Sequence, residues 1–315
     1  IKALPEPIHH GLPLKAAELP VMVVVGELKP VLCNGIRKPV GFPDKFPDIV
    51  GIVDRPVAAD TDILCDEEQI YAKVREIRDY GDVCPDISEA KLRKQAKLIL
   101  ALENWMDVHA CDASAIQCWD SVEANYGCAA CLAMSMMGQK GRPSACETDV
   151  MGALSMLALR HACDGTPFYQ DWDNNYATEP DKCINVHCSN YPATVFTEKP
   201  QIGNLDILAT TLGTEHSFGA LKGRVRPSKM TYLKISTDDR RGVVKCYLGE
   251  GEFTDDPMET FGGVAVCHVP HLNDLMHYIC RNGFEHHVAL VQASCADVLE
   301  EALGNYLGWE VYHHA

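Results

Sequence analysis

Four side chains in this sequence have the chemistry to hold a metal ion together: Glu147, Asp171, His187 and His287. They sit in the segments Ala145-Cys146-Glu147-Thr148-Asp149, Asp171-Trp172-Asp173-Asn174-Asn175, Asn185-Val186-His187-Cys188 and Glu285-His286-His287-Val288. Two carboxylates and two imidazoles suit a hard-to-borderline divalent cation. If they converge, they can move protons on an oxygen-rich substrate. Each also has a plainer reading. Glu147 precedes a helical run and suits a helix N-terminus, where Asp149 is the more conventional cap. Asp171 lies in an Asx-rich stretch, and Asp173 is an alternative to it. His187, flanked by Ile184, Val186 and Cys188, reads by itself as a core histidine. His286 and His287 open a β-type run after Gly283, so their rings fall on opposite faces.

The elements around these residues are those of an α/β protein. Residues 1–66 are rich in Pro and Gly and hold two strand candidates, at 21–25 and 49–53. Helical patterns cover 66–78 and 88–106. A short apolar strand is expected near 113–119, then helices near 128–137 and 148–163. From residue 200 the pattern changes. Segments rich in β formers at 230–235, 242–247 and 263–267 suggest an antiparallel sheet or small barrel. A strand at 287–291, a helix at 296–307 and a strand at 309–312 close the chain. The expected fold is a Rossmann-like α/β layer domain followed by a β-rich, barrel-like C-terminal domain. Three parts are expected: 1–66, a partial N-terminal α/β segment; 67–195, carrying Glu147 and Asp171; and 196–315, carrying His287. Gly249-Glu250-Gly251 and Lys222 to Arg226 read as turns.

The 315 residues suffice for a large core, and 47% are hydrophobic. A formal charge of −16 disfavours nucleic acid as a partner. No run is long and apolar enough to span a membrane. Ile1 to Pro5 lack the basic start and apolar core of a signal peptide, so a cytoplasmic location is expected. Fifteen cysteines without a signal point to reduced thiols rather than a disulfide framework. Cys128 and Cys131 have CxxC spacing, with Cys118 and Cys146 on either side. No second pair follows closely, so buried helical thiols are the preferred reading. No P-loop, GxSxG or HExxH motif is present.

The motifs resemble a known family, the L-fucose and L-arabinose isomerase superfamily, and its fucose isomerase branch most closely. The resemblance rests on Ile116-Gln117-Cys118-Trp119, Gly141 to Val150, Asp171 to Asn175 and Glu285 to Ala289, in family order over roughly residues 68–315. It implies a metal-dependent aldose–ketose isomerase working through a cis-enediol. It implies Mn²⁺, with Mg²⁺ or Co²⁺ as alternatives, held by Glu147, Asp171 and His287. His187 matches a ligand of the arabinose branch. Glu147 and Asp171 are the implied proton carriers. Gln117 falls at a sugar-contacting position, and Trp119, Trp172, Asn174 and His286 are expected beside the sugar. The family further implies a small-molecule sugar substrate and a homo-oligomer, a hexamer by analogy. Family members carry an additional N-terminal α/β domain to which residues 1–66 show no match. A non-catalytic carbohydrate-binding relative, or an isomerase of an acidic or sulfonated sugar, are the rival readings.

Overall fold

The structure is a computed structural model that describes residues 66–118 and 122–315, with strands at 22–25 and 50–53. Strands β1 (Met22–Val25) and β2 (Val50–Val53) precede helix α1 (Glu67–Tyr80), β3 (Asp82–Val83) and helix α2 (Glu89–Val108). Next come β4 (Ala113–Ile116), α3 (Cys131–Gln139), β5 (Ser144–Ala145) and α4 (Val150–Ala162). The middle of the chain supplies β6 (Phe168–Asp171), β7 (Asn174–Asn175) and β8 (Lys182–His187). Then follow β9 (Gln201–Asn204), α5 (Asp206–Leu212), β10 (Phe218–Arg224), β11 (Ser228–Asp238), β12 (Val243–Phe253) and β13 (Gly263–His268). The last elements are α6 (Leu272–Asn282), β14 (His287–Val291), α7 (Ala296–Glu300) and β15 (Glu310–His314).

Two sheets result. The smaller has the order β2-β1-β4-β5. Its β1 pairs are antiparallel and only β4–β5 is parallel, which is not a parallel Rossmann layer. The larger has eleven strands along β3-β9-β10-β13-β12-β11-β14-β6, with β7, β8 and β15 attached beside that path. It is mixed, since β3–β9, β10–β13 and β12–β15 pair in parallel. Its path ends at β3 and β6, so the expected barrel is replaced by an open sheet. The physical reason is branching along β12: β15 pairs with Lys245–Gly249 and β13 with Glu252–Phe253, so the strands do not follow one closed circuit. Gly249-Glu250-Gly251 is not a turn but part of the β11–β12 ribbon. A Cβ at Gly249 would collide with Tyr232, and one at Gly251 with the His268 backbone, so close strand packing explains both glycines.

Helix α4 connects the sheets. It touches β1, β4 and β5 of the small sheet and β11 and β14 of the large one. Gly152, Ala153, Ser155, Met156 and Leu159 form its buried stripe, the spacing of one helical face. Its N-cap, Asp149, accepts from the Gly152 N–H at 2.7 Å. The start of α4 lies where β14 begins and β6 ends, because Asp149 also contacts His287.

Candidate metal centre

Register builds the site. In the antiparallel pair β14–β6, His287 stands opposite Asp171. Opposed residues share a face of the sheet, so the two side chains meet. His287 Nε2 lies 3.4 Å from Asp171 Oδ1 and 3.7 Å from Glu147 Oε2. Glu147 arrives from the other side, in the turn between β5 and α4. Both Glu147 and Thr148 have positive φ, 57° and 59°. Two successive non-glycine residues in that region carry strain of roughly 1–3 kcal/mol each. The turn is held by Thr148 N–H donating to the Ile116 carbonyl and Asp149 N–H to the Cys146 carbonyl.

Asp171 Oδ1 and His287 Nε2 are both buried, and neither makes a hydrogen bond. Two such atoms facing each other would be costly in a site with no further occupant. His287 lies between the Asp171 and Glu147 oxygens, and carboxylate and imidazole donors of this kind suit a divalent cation. Glu147, His187 and His287 each offer an atom within 4.8 Å of the others, as do Asp171, His286 and His287. Both groups, which share His287, have donors that suit a divalent metal ion.

The buried support beneath His287 is a feature that sequence reasoning missed. Asp149 Oδ2 lies 3.3 Å from His287 Nδ1 and 2.7 Å from the Lys234 ammonium, and it accepts a short bond from the Tyr169 hydroxyl. Burial alone would raise the Asp149 pKa. His287, Lys234 and Tyr169 together hold it well below the usual carboxylate range. A carboxylate on Nδ1 fixes the imidazole with its Nε2 lone pair toward the site. The sequence signal was Lys234 itself, fully buried inside the apolar run Tyr232-Leu233-Lys234-Ile235, since a buried lysine needs an anionic partner.

The remaining expected site residues fall into three places. His187, at the end of β8, is buried with its ring 5.4 Å from that of His287. Its Nδ1 faces thiols, 3.3 Å from Cys188 Sγ and 3.9 Å from Cys146 Sγ. Burial works against its charge, but the neighbouring Cys188 sulfur and Asp171 push its pKa up to about 10. His286 is exposed at the mouth, 3.6 Å from Asp171 Oδ1. Gln117 follows β4, next to the Ile116 carbonyl that anchors the Glu147 turn. Trp119 lies outside the described residues. Trp172 and Asn174 line a separate cavity of about 520 Å³, with Asp173, Leu272 and Met276; Glu147, Asp171 and His287 form none of its wall. The Trp172 indole N–H donates to the Tyr247 hydroxyl. Asp173, the alternative to Asp171, is occupied otherwise: its carboxylate accepts from the Val186 N–H at 2.6 Å. Lys222 to Arg226 is largely strand β10, and the Arg224 guanidinium is bound to Asp255.

Comparisons with known proteins point to sugar isomerases. Residues 185–314 match the family model of the L-fucose isomerase C-terminal domain. That stretch is similar to the C-terminal domain of the L-fucose isomerases. It contains His187, His286 and His287, while Glu147 and Asp171 come from the preceding residues. Over 216 residues the chain is 26% identical to a sulfoquinovose isomerase of Alkalicoccus urumqiensis, covering 68% of this chain and 47% of that protein. A sulfoquinovose isomerase of Priestia aryabhattai is 25% identical over 201 residues, 63% of this chain and 43% of its own length. The chain spans about half the length of the curated relatives it matches.

Proposed function

We propose that this chain carries the active site of a metal-dependent aldose–ketose isomerase. The observation that carries the reading is the pair of buried, unsatisfied atoms, Asp171 Oδ1 and His287 Nε2, facing each other beside Glu147. Glu147, Asp171 and His287 are the proposed ligands, with His187 as a further one. Mn²⁺ is the proposed ion, with Mg²⁺ or Co²⁺ as substitutes. Bound there, a divalent ion would act as a Lewis acid, polarising the sugar carbonyl and acidifying the adjacent hydroxyl.

The chain's own residues supply the rest. Asp149 keeps the proton of His287 on Nδ1. Glu147 and Asp171 act as the proton carriers: one carboxylate moves a proton between C2 and C1 of the open-chain sugar, the other between its two oxygens. The intermediate is a cis-enediol. Gln117 and His286 would contact the sugar, and Trp172 and Asn174 would meet a part of it that reaches the neighbouring cavity. The division at 66/67 and 195/196, a homo-oligomer of hexamer type and a cytoplasmic location belong to the same reading. Among the described residues, no helix is long and apolar enough to cross a membrane.

Similarity to sulfoquinovose isomerases favours one particular substrate class, a sulfonated sugar. The test covers it. The Mn²⁺-loaded protein is incubated in D₂O with L-fucose, L-arabinose and sulfoquinovose, and deuterium at C1 or C2 is read by NMR. Exchange into one aldose–ketose pair, lost in Glu147→Gln, is the expected result. Binding of a sugar without exchange in any case would instead support a carbohydrate-binding relative.

A further inference from the structure

The thiols behind the site form a constellation of their own. Cys146 leads into the Glu147 turn, Cys188 follows β8, Cys131 opens α3 and Cys118 lies just beyond β4. The Cys146 and Cys188 sulfurs are 3.8 Å apart. His187 Nδ1 is 3.3 Å from Cys188 Sγ and 3.9 Å from Cys146 Sγ. The Cys131 thiol is within hydrogen-bonding reach of Cys188, and that of Cys118 within reach of Cys146. Cys118, Cys131, Cys146 and His187 are buried, and Cys188 is half-buried. Of the CxxC motif, Cys131 joins the group; the charges that act on buried Cys128 are those of Lys94 and Glu123. Long-range folding has assembled a cluster of thiols and an imidazole that no local spacing announced.

We propose that Cys146, Cys188 and His187 Nδ1 form a second, three-donor metal site selective for a soft or borderline cation such as Zn²⁺, with its fourth position left for an exogenous ligand. The edges fit. A tetrahedron with Zn–S bonds of about 2.3 Å has S···S edges of about 3.8 Å, and with a Zn–N bond of about 2.0 Å its S···N edges are about 3.5 Å. The sulfur pair matches the first, and the two sulfur–nitrogen distances bracket the second. Thiolate donors select Zn²⁺ over Mg²⁺ or Mn²⁺, so the two sites take different ions. Loading releases the thiol protons, which makes it easier as pH rises. The half-buried Cys188 marks the way in. His187 contributes to both groups of potential ligands, and committing Nδ1 to the thiol side leaves one ring nitrogen for the first site. An ion in the thiol site would also brace Cys146, the residue before Glu147, and so the strained turn.

Co²⁺ is the probe. The reduced, metal-free protein, with its full chain, is titrated anaerobically with Co²⁺. One equivalent is expected to give the near-ultraviolet thiolate-to-cobalt charge-transfer band and the intense visible bands of a tetrahedral site. Cys146→Ser and Cys188→Ser should abolish the band, and Glu147→Gln should leave it. No band in the fully reduced protein, or a band that survives both cysteine substitutions, overturns the proposal and leaves simple thiol packing. If the cysteine variants do not fold, X-ray absorption of the zinc-loaded parent decides: a sulfur shell near ~2.3 Å supports the site, and a shell of nitrogen and oxygen only rejects it. Neither readout uses turnover, so failure of the isomerase reading would leave this result standing, and the reverse.

Discussion

Replacing Asp149 with Asn separates the two tasks of that carboxylate. In the folded protein it neutralises Lys234, whose side chain has no exposed surface, through a 2.7 Å bond. Removing one partner of a buried pair costs about 3–5 kcal/mol, because a desolvated charge is left behind. Glu285, 3.6 Å from the same ammonium and half exposed, offsets part of this, so a loss near the lower end, about 3 kcal/mol, is expected. The second task is to orient His287, with Nδ1 at 3.3 Å. Losing a carboxylate behind a ligating histidine typically weakens metal binding about 10- to 100-fold, or about 1.4–2.7 kcal/mol. Urea denaturation reads the first effect, and titration with Mn²⁺ followed by electron paramagnetic resonance reads the second. The double variant Asp149→Asn/Lys234→Met distinguishes them. Removing both charges should recover much of the stability while the affinity for Mn²⁺ stays low. Unchanged Mn²⁺ affinity in folded Asp149→Asn would refute the assignment of His287 orientation to Asp149.

Three further outcomes follow from the same contacts. Gly152→Ala sits in a helix, where alanine is normally better by about 1 kcal/mol, but here its methyl overlaps the Tyr169 hydroxyl. The variant should instead lose roughly 1–3 kcal/mol, read as a lower Tm; a rise in Tm would contradict the packing described. Asp173 is raised to about 6 by burial and by nearby Asp171, against the Val186 N–H that favours its charge. Its folded pKa exceeds the unfolded one, so its contribution is present at acid pH and lost as pH rises through about 6. Asp173→Asn should therefore gain Tm relative to the parent as pH rises from 4 to about 7, and a constant difference across that range would sink the reasoning. Glu147→Gln should fold as the parent does, since the Glu147 side chain is about one-third exposed. It should also bind Mn²⁺ more weakly, and equal affinity would remove Glu147 from the ligand set.

Much of the site was legible because its parts sit in compact local motifs. Strand β14 begins at His287 as the alternation predicted, and α4 spans Val150–Ala162 within the expected 148–163. The separation of His286 from His287 followed from the two-residue period of a strand, and the structure exposes one ring and buries the other. The open mixed sheet was not legible. Parallel pairings such as β10–β13 and β12–β15 join segments far apart in sequence, and β-propensity says nothing of strand order. The glycines of β12 read as a turn because their packing partners lie on other strands. Asp149 was weighed only as a cap, which it is. Its contacts with Lys234 and His287 depend on residues 85 and 138 positions away. The thiol group escaped notice for the same reason: Cys131, Cys146 and Cys188 meet only after three elements pack together.

The most direct measurement is anomalous diffraction at the manganese edge from crystals grown with Mn²⁺. A single strong peak within bonding distance of Glu147, Asp171 and His287 Nε2 is the predicted result. Crystals whose manganese lies elsewhere, with Asp171 and His287 still facing each other across an unligated gap, would contradict the central claim.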